Sequence, residues 1–227
     1  MPRMEQLADN LWAEAAPQSF FGLHVGTRMT VVRLRDGALL VHSPIAMTPG
    51  LKAEVDAIGP VRHIVAPNCY HHLYAGEWKN AHPDALLHAA GGLEKRRKDL
   101  AIDSELSSET HPGWGDELAT SLLDGTMLNE TVFFHRPSRS LIVADVIENF
   151  ETSAHWPTRA YLKLGGIHGQ PGLSLPLRLV FRDKKRARRS IDEILSWDFD
   201  RIVLAHGNVI ESGGRDILKD AYTWLKG

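Results

Sequence analysis

The sequence predicts an α/β fold in which helices cover a sheet, and three observations predict it. Apolar runs of strand length alternate with stretches that carry helix start and stop signals, a pattern foreign to an all-β sandwich. Asp36-Gly37 stands between two β-branched runs, and such a pair marks a hairpin because glycine accepts the positive φ of the turn. Three apolar runs end on residue types that bind metals: Ile64 to Pro67 before His71 and His72, Ser140 to Asp145, and Arg201 to His206. Open α/β sheets place their chemistry just beyond the carboxyl ends of strands, where side chains converge.

A chain of 227 residues with 43% hydrophobic content is long enough to bury a large core and short enough to form one domain, residues 1–227. The net charge of −2 recommends neither nucleic acid nor a membrane as partner. The local exception is Arg182 to Arg189, six cations in eight residues, read as a solvated helix start with an anion-binding patch as the alternative. A single cysteine rules out an internal disulfide and fits a reducing compartment. The first ten residues carry no signal-peptide core, and no apolar run has the length of a membrane span. A soluble, cytoplasmic protein is expected.

In chain order, Leu11 to Ala15 reads as a first strand and Met29 to His42 as a hairpin. Between them Pro17 to Gly22, with Phe20 and Phe21, has no clear period and reads as a flap or a packed loop. Thr48-Pro49 is an N-cap followed by a first-turn proline, and Gly59-Pro60 stops the helix they start. Strand 62–66, helix 74–80, strand 85–89 and helix 91–99 follow. Residues 100–118, rich in Pro and Gly, read as an ordered loop. Strands at 118–123, 130–135 and 140–145, a Gly/Pro-rich insert over 146–180, helix 184–197, strand 201–205 and helix 213–226 complete the chain.

The candidate site begins in the loop after Pro67, which holds Asn68, Cys69, His71 and His72. Imidazole nitrogen and carboxylate oxygen suit Zn²⁺, Fe²⁺ or Mn²⁺, and three protein ligands with one open position form the catalytic rather than the structural pattern. A metal so held polarises a carbonyl or phosphoryl oxygen and lowers the pKa of water.

A strand hairpin, a helix, a strand with a histidine-rich loop, a later strand ending in Asp and a late one ending in His-Gly resemble, in that order, the metallo-β-lactamase fold superfamily. The likeness spans nearly the whole chain and implies an αββα sandwich. The family's motif is His-x-His-x-Asp-His, and here Pro67, Cys69, His71 and His72 stand in its four places. The Asn-x-x-His-His-Leu core is similar to that of a branch known only as a domain of unknown function. One metal position of the family thereby loses its histidines, since Leu128-Asn129-Glu130 offers none either. The other position corresponds to His71, His72, Asp145 and His206. Because His71 and His72 are adjacent and can point apart, a reduced set of His72, Asp145 and His206 is the alternative, and His72 ranks slightly above His71.

What the resemblance implies is hydrolysis of a small ester, thioester, lactone or phosphoester at one divalent metal, Zn²⁺, Fe²⁺ or Mn²⁺. Asp145 and His72 are the expected catalytic residues, Asp145 taking a share of the proton from water. Asn68, Cys69, Trp114 and Trp156 are the candidate substrate-binding residues, the two tryptophans because Gly/Pro-rich loops often wall pockets. Each has a plainer alternative: Asp145 as an N-cap, Cys69 as a small buried hydrophobe, the tryptophans as loop anchors, His42 as a strand-end residue. Two rival functions stay open, a metal-free binding or scaffold protein with no cofactor and a hydrolase with Cys69 as nucleophile.

Overall fold

The structure, a computed structural model, describes residues 4–225. Three hairpins open the chain: β1 (Glu5–Ala8) with β2 (Leu11–Ala16), the small β3 (Ser19–Phe20) with β4 (Leu23–His24), and β5 (Thr27–Arg33) with β6 (Leu39–His42). Gly37, in the turn of the third, has the left-handed φ of +86° that the Asp-Gly pair predicts. β1 had no apolar signature in the sequence, because none of its residues is fully buried.

The helix α1 (Pro49–Ile58) starts where Thr48 Oγ1 accepts the Leu51 N–H at 3.1 Å, and it buries Leu51 and Val55. Next come β7 (Val61–Ala66), α2 (Ala75–Ala81), β8 (Leu86–Ala89), α3 (Leu93–Arg96) and β9 (Ser104–Glu105). The helix expected over 91–99 shrinks to α3, since Gly92 enters it at φ +84° and Arg97, at φ −122° and ψ 67°, has already left helical backbone. The second half holds β10 (Leu118–Leu122), β11 (Thr131–His135), β12 (Ser140–Ile142), α4 (Trp156–Leu164), α5 (Leu175–Arg178), α6 (Lys184–Ile194), β13 (Arg201–Val203) and α7 (Gly214–Ala221). The insert over 146–180 thus contains two helices that its Gly and Pro content concealed. The last helix ends at Ala221, before a single turn over Thr223–Leu225; residue 226 of its expected span lies outside the described residues.

One sheet has the order β1-β2-β5-β6-β7-β8-β9 and the other β10-β11-β12-β13. β6 to β9 run parallel, as do β12 and β13. Alternation along the strands makes three apolar layers. Leu40 and Val65 face Phe133, Ile142 and Val203 between the sheets. On the opposite faces Val41, Ile64 and Leu87 pack on Val55 and Trp78, while Val132, Leu141 and Ile202 pack on Ile191, Ile194 and Leu218. The result is an αββα sandwich. No helix among the described residues is long and apolar enough to cross a membrane.

Candidate metal centre

β6, β7, β12 and β13 are neighbours or face one another at their carboxyl ends, and the chain beyond each carries one part of the site. Past β7, the loop of Asn68 to His72 is shaped by Asn68, whose Oδ1 accepts the N–H groups of Tyr70 and His71, each at 2.8 Å. Past β12 stands Asp145, and past β13 stands His206.

These segments bring three donor atoms together. His206 Nε2 lies 3.1 Å from Asp145 Oδ1, His71 Nε2 lies 3.5 Å from the same oxygen, and the two Nε2 atoms are 3.2 Å apart. Among the described residues this is the one group of three or more His, Cys, Asp or Glu side chains whose ligand atoms are close enough to share an ion. Donor atoms about 2.1 Å from a tetrahedrally bound ion stand about 3.4 Å apart, so the observed spacing fits such an ion. The side chains of His71, Asp145 and His206 keep 8%, 10% and 13% of their surface exposed, enough to be reached from solvent.

Each donor is held from behind. Ser43 Oγ lies 2.7 Å from His71 Nδ1, and Ser43 takes an uncommon left-handed φ of +52° to put it there. His206 Nδ1 donates to the Gly26 carbonyl at 2.9 Å, which leaves the Nε2 lone pair facing the centre when the ring is neutral. Arg28 donates to the carbonyls of Leu204 and Gly207, pinning the loop on both sides of His206. Gly207, at φ +98°, is required because a Cβ there would lie 2.0 Å from the Asn149 carbonyl oxygen.

Asp145 is divided between two tasks. Its Oδ1 faces the imidazoles, while Oδ2 accepts from Asn68 Nδ2 at 2.7 Å. The other Asn68 amide hydrogen goes to Glu130 Oε2 at 2.9 Å, and Glu130 also accepts the main-chain N–H groups of Ala144 and Asp145. Burial would raise the Asp145 pKa, but His71 and His206 outweigh it and hold the carboxyl well below the usual range. Glu130 has no imidazole beside it, so burial and the Asp145 charge push it up. Burial opposes protonation of His206, and the Asp145 carboxylate overcomes it, raising that pKa.

Several expected site residues lie elsewhere. His72 turns away from the trio: its Nδ1 is 2.8 Å from the Arg97 guanidinium, and burial with that cation lowers its pKa. The expected preference for His72 over His71 is therefore reversed. Asn68 is fully buried with every amide position used, so it supports Asp145 instead of meeting a substrate. Cys69 is buried, its Sγ is 4.0 Å from the Gly91 carbonyl, and burial pushes its thiol up rather than activating it. Trp114 is 2% exposed and packs on Phe133 between the sheets, as a loop anchor. Trp156 is 71% exposed in the first turn of α4. His42 is buried edge-on to Phe133 with its Nε2 unpaired, and burial carries its pKa down to about 3.

Ser43, Gly26, Arg28 and Glu130 were not singled out from the sequence. Ser43 had a legible signal, since it directly follows a strand end as the other site residues do. Glu130 had another, a lone acid opening an apolar strand. A cavity of about 340 Å³ is lined by Gly26, Arg28, Phe150 and the His206 neighbours Ala205 and Gly207, among others, and none of His71, Asp145 and His206 lines it.

Sandwich and strand-end arrangement define a protein of the metallo-β-lactamase fold. The DIM-1 metallo-β-lactamase is similar with a TM-score of 0.67 at 13% identity, over 99% of this chain and 96% of that one. A metallo-β-lactamase from Pontibacter korlensis gives 0.66 at 10% identity over 99% of each chain. FIM-1 from Pseudomonas aeruginosa, in a mono-zinc form, gives 0.63 at 11% identity over 98% of this chain and 94% of that one. Likeness at such low identity carries the architecture alone. By sequence, residues 8–160 match the family described as Domain of unknown function (DUF4336), and the chain belongs to that family. No curated protein matches the sequence.

Proposed function

We propose that the protein is a metal-dependent hydrolase with one divalent ion, held by His71, Asp145 and His206, acting on a small ester, thioester, lactone or phosphoester. The observation that carries this reading is the mutual spacing of the three donor atoms, 3.1, 3.2 and 3.5 Å, on three separate strand ends. When bound, a divalent cation supplies the charge that polarises a carbonyl or phosphoryl oxygen and acidifies water. In this reading Asn68-x-x-His71-His72 is a reduced form of the family's metal motif. Asn68 and Glu130 bond to each other beside Asp145 and leave no free donor for a second ion, which supports a mononuclear centre.

The chain's own groups have distinct tasks. Ser43 and the Gly26 carbonyl orient the two rings, and Arg28 keeps His206 in place. Asp145, held far below the usual carboxylate range, acts as an anionic donor and is a poor proton acceptor, which weakens the expected share in proton transfer. Phe20, on the β3–β4 hairpin, leans edge-on against Tyr70 at 5.8 Å, so the hairpin sits over the loop that delivers His71.

A metal-free binding protein is the second reading, favoured by one observation: a proton shared among His71, Asp145 and His206 would satisfy the same short distances. Elemental analysis of protein prepared without a histidine tag separates the two. About one equivalent of Zn, Fe or Mn is the expected result. Protein that contains no metal and takes up none on incubation belongs to the second reading.

A further inference from the structure

The overall charge of −2 hides an uneven distribution of acids. From Thr152 to Arg182 the chain has no Asp or Glu, yet it carries Arg159, Lys163, Arg178 and Arg182. Residues 15–35 are likewise free of acids. The two stretches meet in space: the His24 and His155 rings stack with centroids 3.7 Å apart, and the His24 N–H donates to Thr158 Oγ1 at 2.8 Å.

The same stretches hold the four most exposed large apolar side chains among the described residues, Phe21 at 91%, Leu164 at 79%, Leu179 at 75% and Trp156 at 71%. Trp156 and Lys163 lie two turns apart on one side of α4, with Leu164 beside them. The Leu175 N–H donates to the Gly165 carbonyl at 3.1 Å, which joins α5 and Leu179 to that patch. Lys163 stands in α4 itself, and it and Arg178, Arg182, Lys184 and Lys185, which follow along the chain, make no ion pair with a carboxylate among the described residues, although Arg178 and Lys184 lie over the Trp224 ring at 5.4 and 5.7 Å. Large apolar side chains left in water near cations that no carboxylate neutralises mark a surface that meets a partner.

We propose that this face docks on the surface of an anionic lipid bilayer. Trp156, Leu164, Leu179 and Phe21 enter the headgroup layer, and the cations meet lipid phosphates. The apolar groups are separate projecting tips, which a fluid surface accommodates without a complementary mould. A second copy is the poorer occupant, because a two-fold contact would set Lys163 and Arg178, on a stretch with no acid from Thr152 to Arg182, against themselves. With no membrane-crossing helix among the described residues, the contact is peripheral. Docking requires no metal at the His71, Asp145 and His206 centre, so it stands or falls separately from the hydrolase reading.

Flotation of the full chain with two kinds of vesicle tests the proposal, phosphatidylcholine alone and phosphatidylcholine with phosphatidylglycerol in equal parts. Binding is expected only to the second kind and is expected to fall as salt is raised. The pair Leu164→Ser and Leu179→Ser is expected to weaken it about tenfold or more, and the pair Lys163→Glu and Arg182→Glu by a similar factor. Quenching of tryptophan emission by brominated acyl chains, lost in Trp156→Phe, reads the contact without those variants. Absence of binding to anionic vesicles overturns the proposal. So does a concentration-dependent dimer that the leucine substitutions abolish, which assigns the face to a second copy, or selective binding of an acidic polypeptide in place of vesicles.

Discussion

Asn68 donates one amide hydrogen to Asp145 and the other to Glu130, at 2.7 and 2.9 Å, while its carbonyl oxygen caps the backbone of His71. A single neutral side chain therefore sets both the carboxylate and the first imidazole of the centre. Asn68→Ala is expected to weaken metal binding about 10- to 100-fold, the usual effect of removing a group that orients a ligand. Titration with Co²⁺ followed by absorbance measures it, and an unchanged affinity would remove Asn68 from this role.

The two adjacent histidines are expected to behave differently. His71→Ala and His206→Ala should abolish stoichiometric metal, whereas His72→Ala, which removes a side chain that faces Arg97, should retain it. Metal content of the three purified variants decides the matter, and equal loss in all three would restore His72 to the ligand set.

Gly207 offers a test through the backbone. A methyl group there would overlap the Asn149 carbonyl at a φ of +98°, so Gly207→Ala is expected to cost roughly 3 kcal/mol or more and to displace His206. Urea denaturation should show a markedly lower midpoint, and a change within error would contradict the close approach.

Acid should destabilise the fold. Burial holds His42, His63 and His88 neutral, with pKa values lowered to about 3, 4 and 3. The unfolded chain takes up protons near pH 6.5 and the folded chain does not, so stability is full above that pH and drains away as pH falls toward 4. Each group contributes a slope of up to about 1.4 kcal/mol per pH unit. Denaturation midpoints at pH 7 and pH 5 check this, and His42→Phe, which removes an unpaired buried nitrogen, should flatten the dependence.

Cys69 is expected to react slowly with thiol reagents at neutral pH, at least about tenfold slower than a free thiol, and its alkylation should leave metal binding intact. Rapid labelling accompanied by loss of a hydrolytic activity would reopen the nucleophile reading.

Much of this architecture is written locally. The Asp36-Gly37 turn, the Thr48-Pro49 helix start and the apolar runs ending near His71, Asp145 and His206 are all encoded within a few residues, where turn chemistry and side-chain period act. β1 and the helices α4 and α5 were not legible, because β1 buries too little and Gly and Pro mask the short helices of the insert.

By itself the sequence determined which strand ends would carry imidazole and carboxylate, since a strand's end and the residue types beyond it are properties of one segment. Tertiary structure alone decided where those side chains point. Ser43 draws His71 inward and Arg97 draws His72 outward, though the two histidines are neighbours in the chain. Glu130 turns Asn68 into a support, and the inter-sheet core claims Trp114. A loop side chain takes its direction from hydrogen bonds and packing with partners far away along the polypeptide, and those partners come within reach only when the two sheets close.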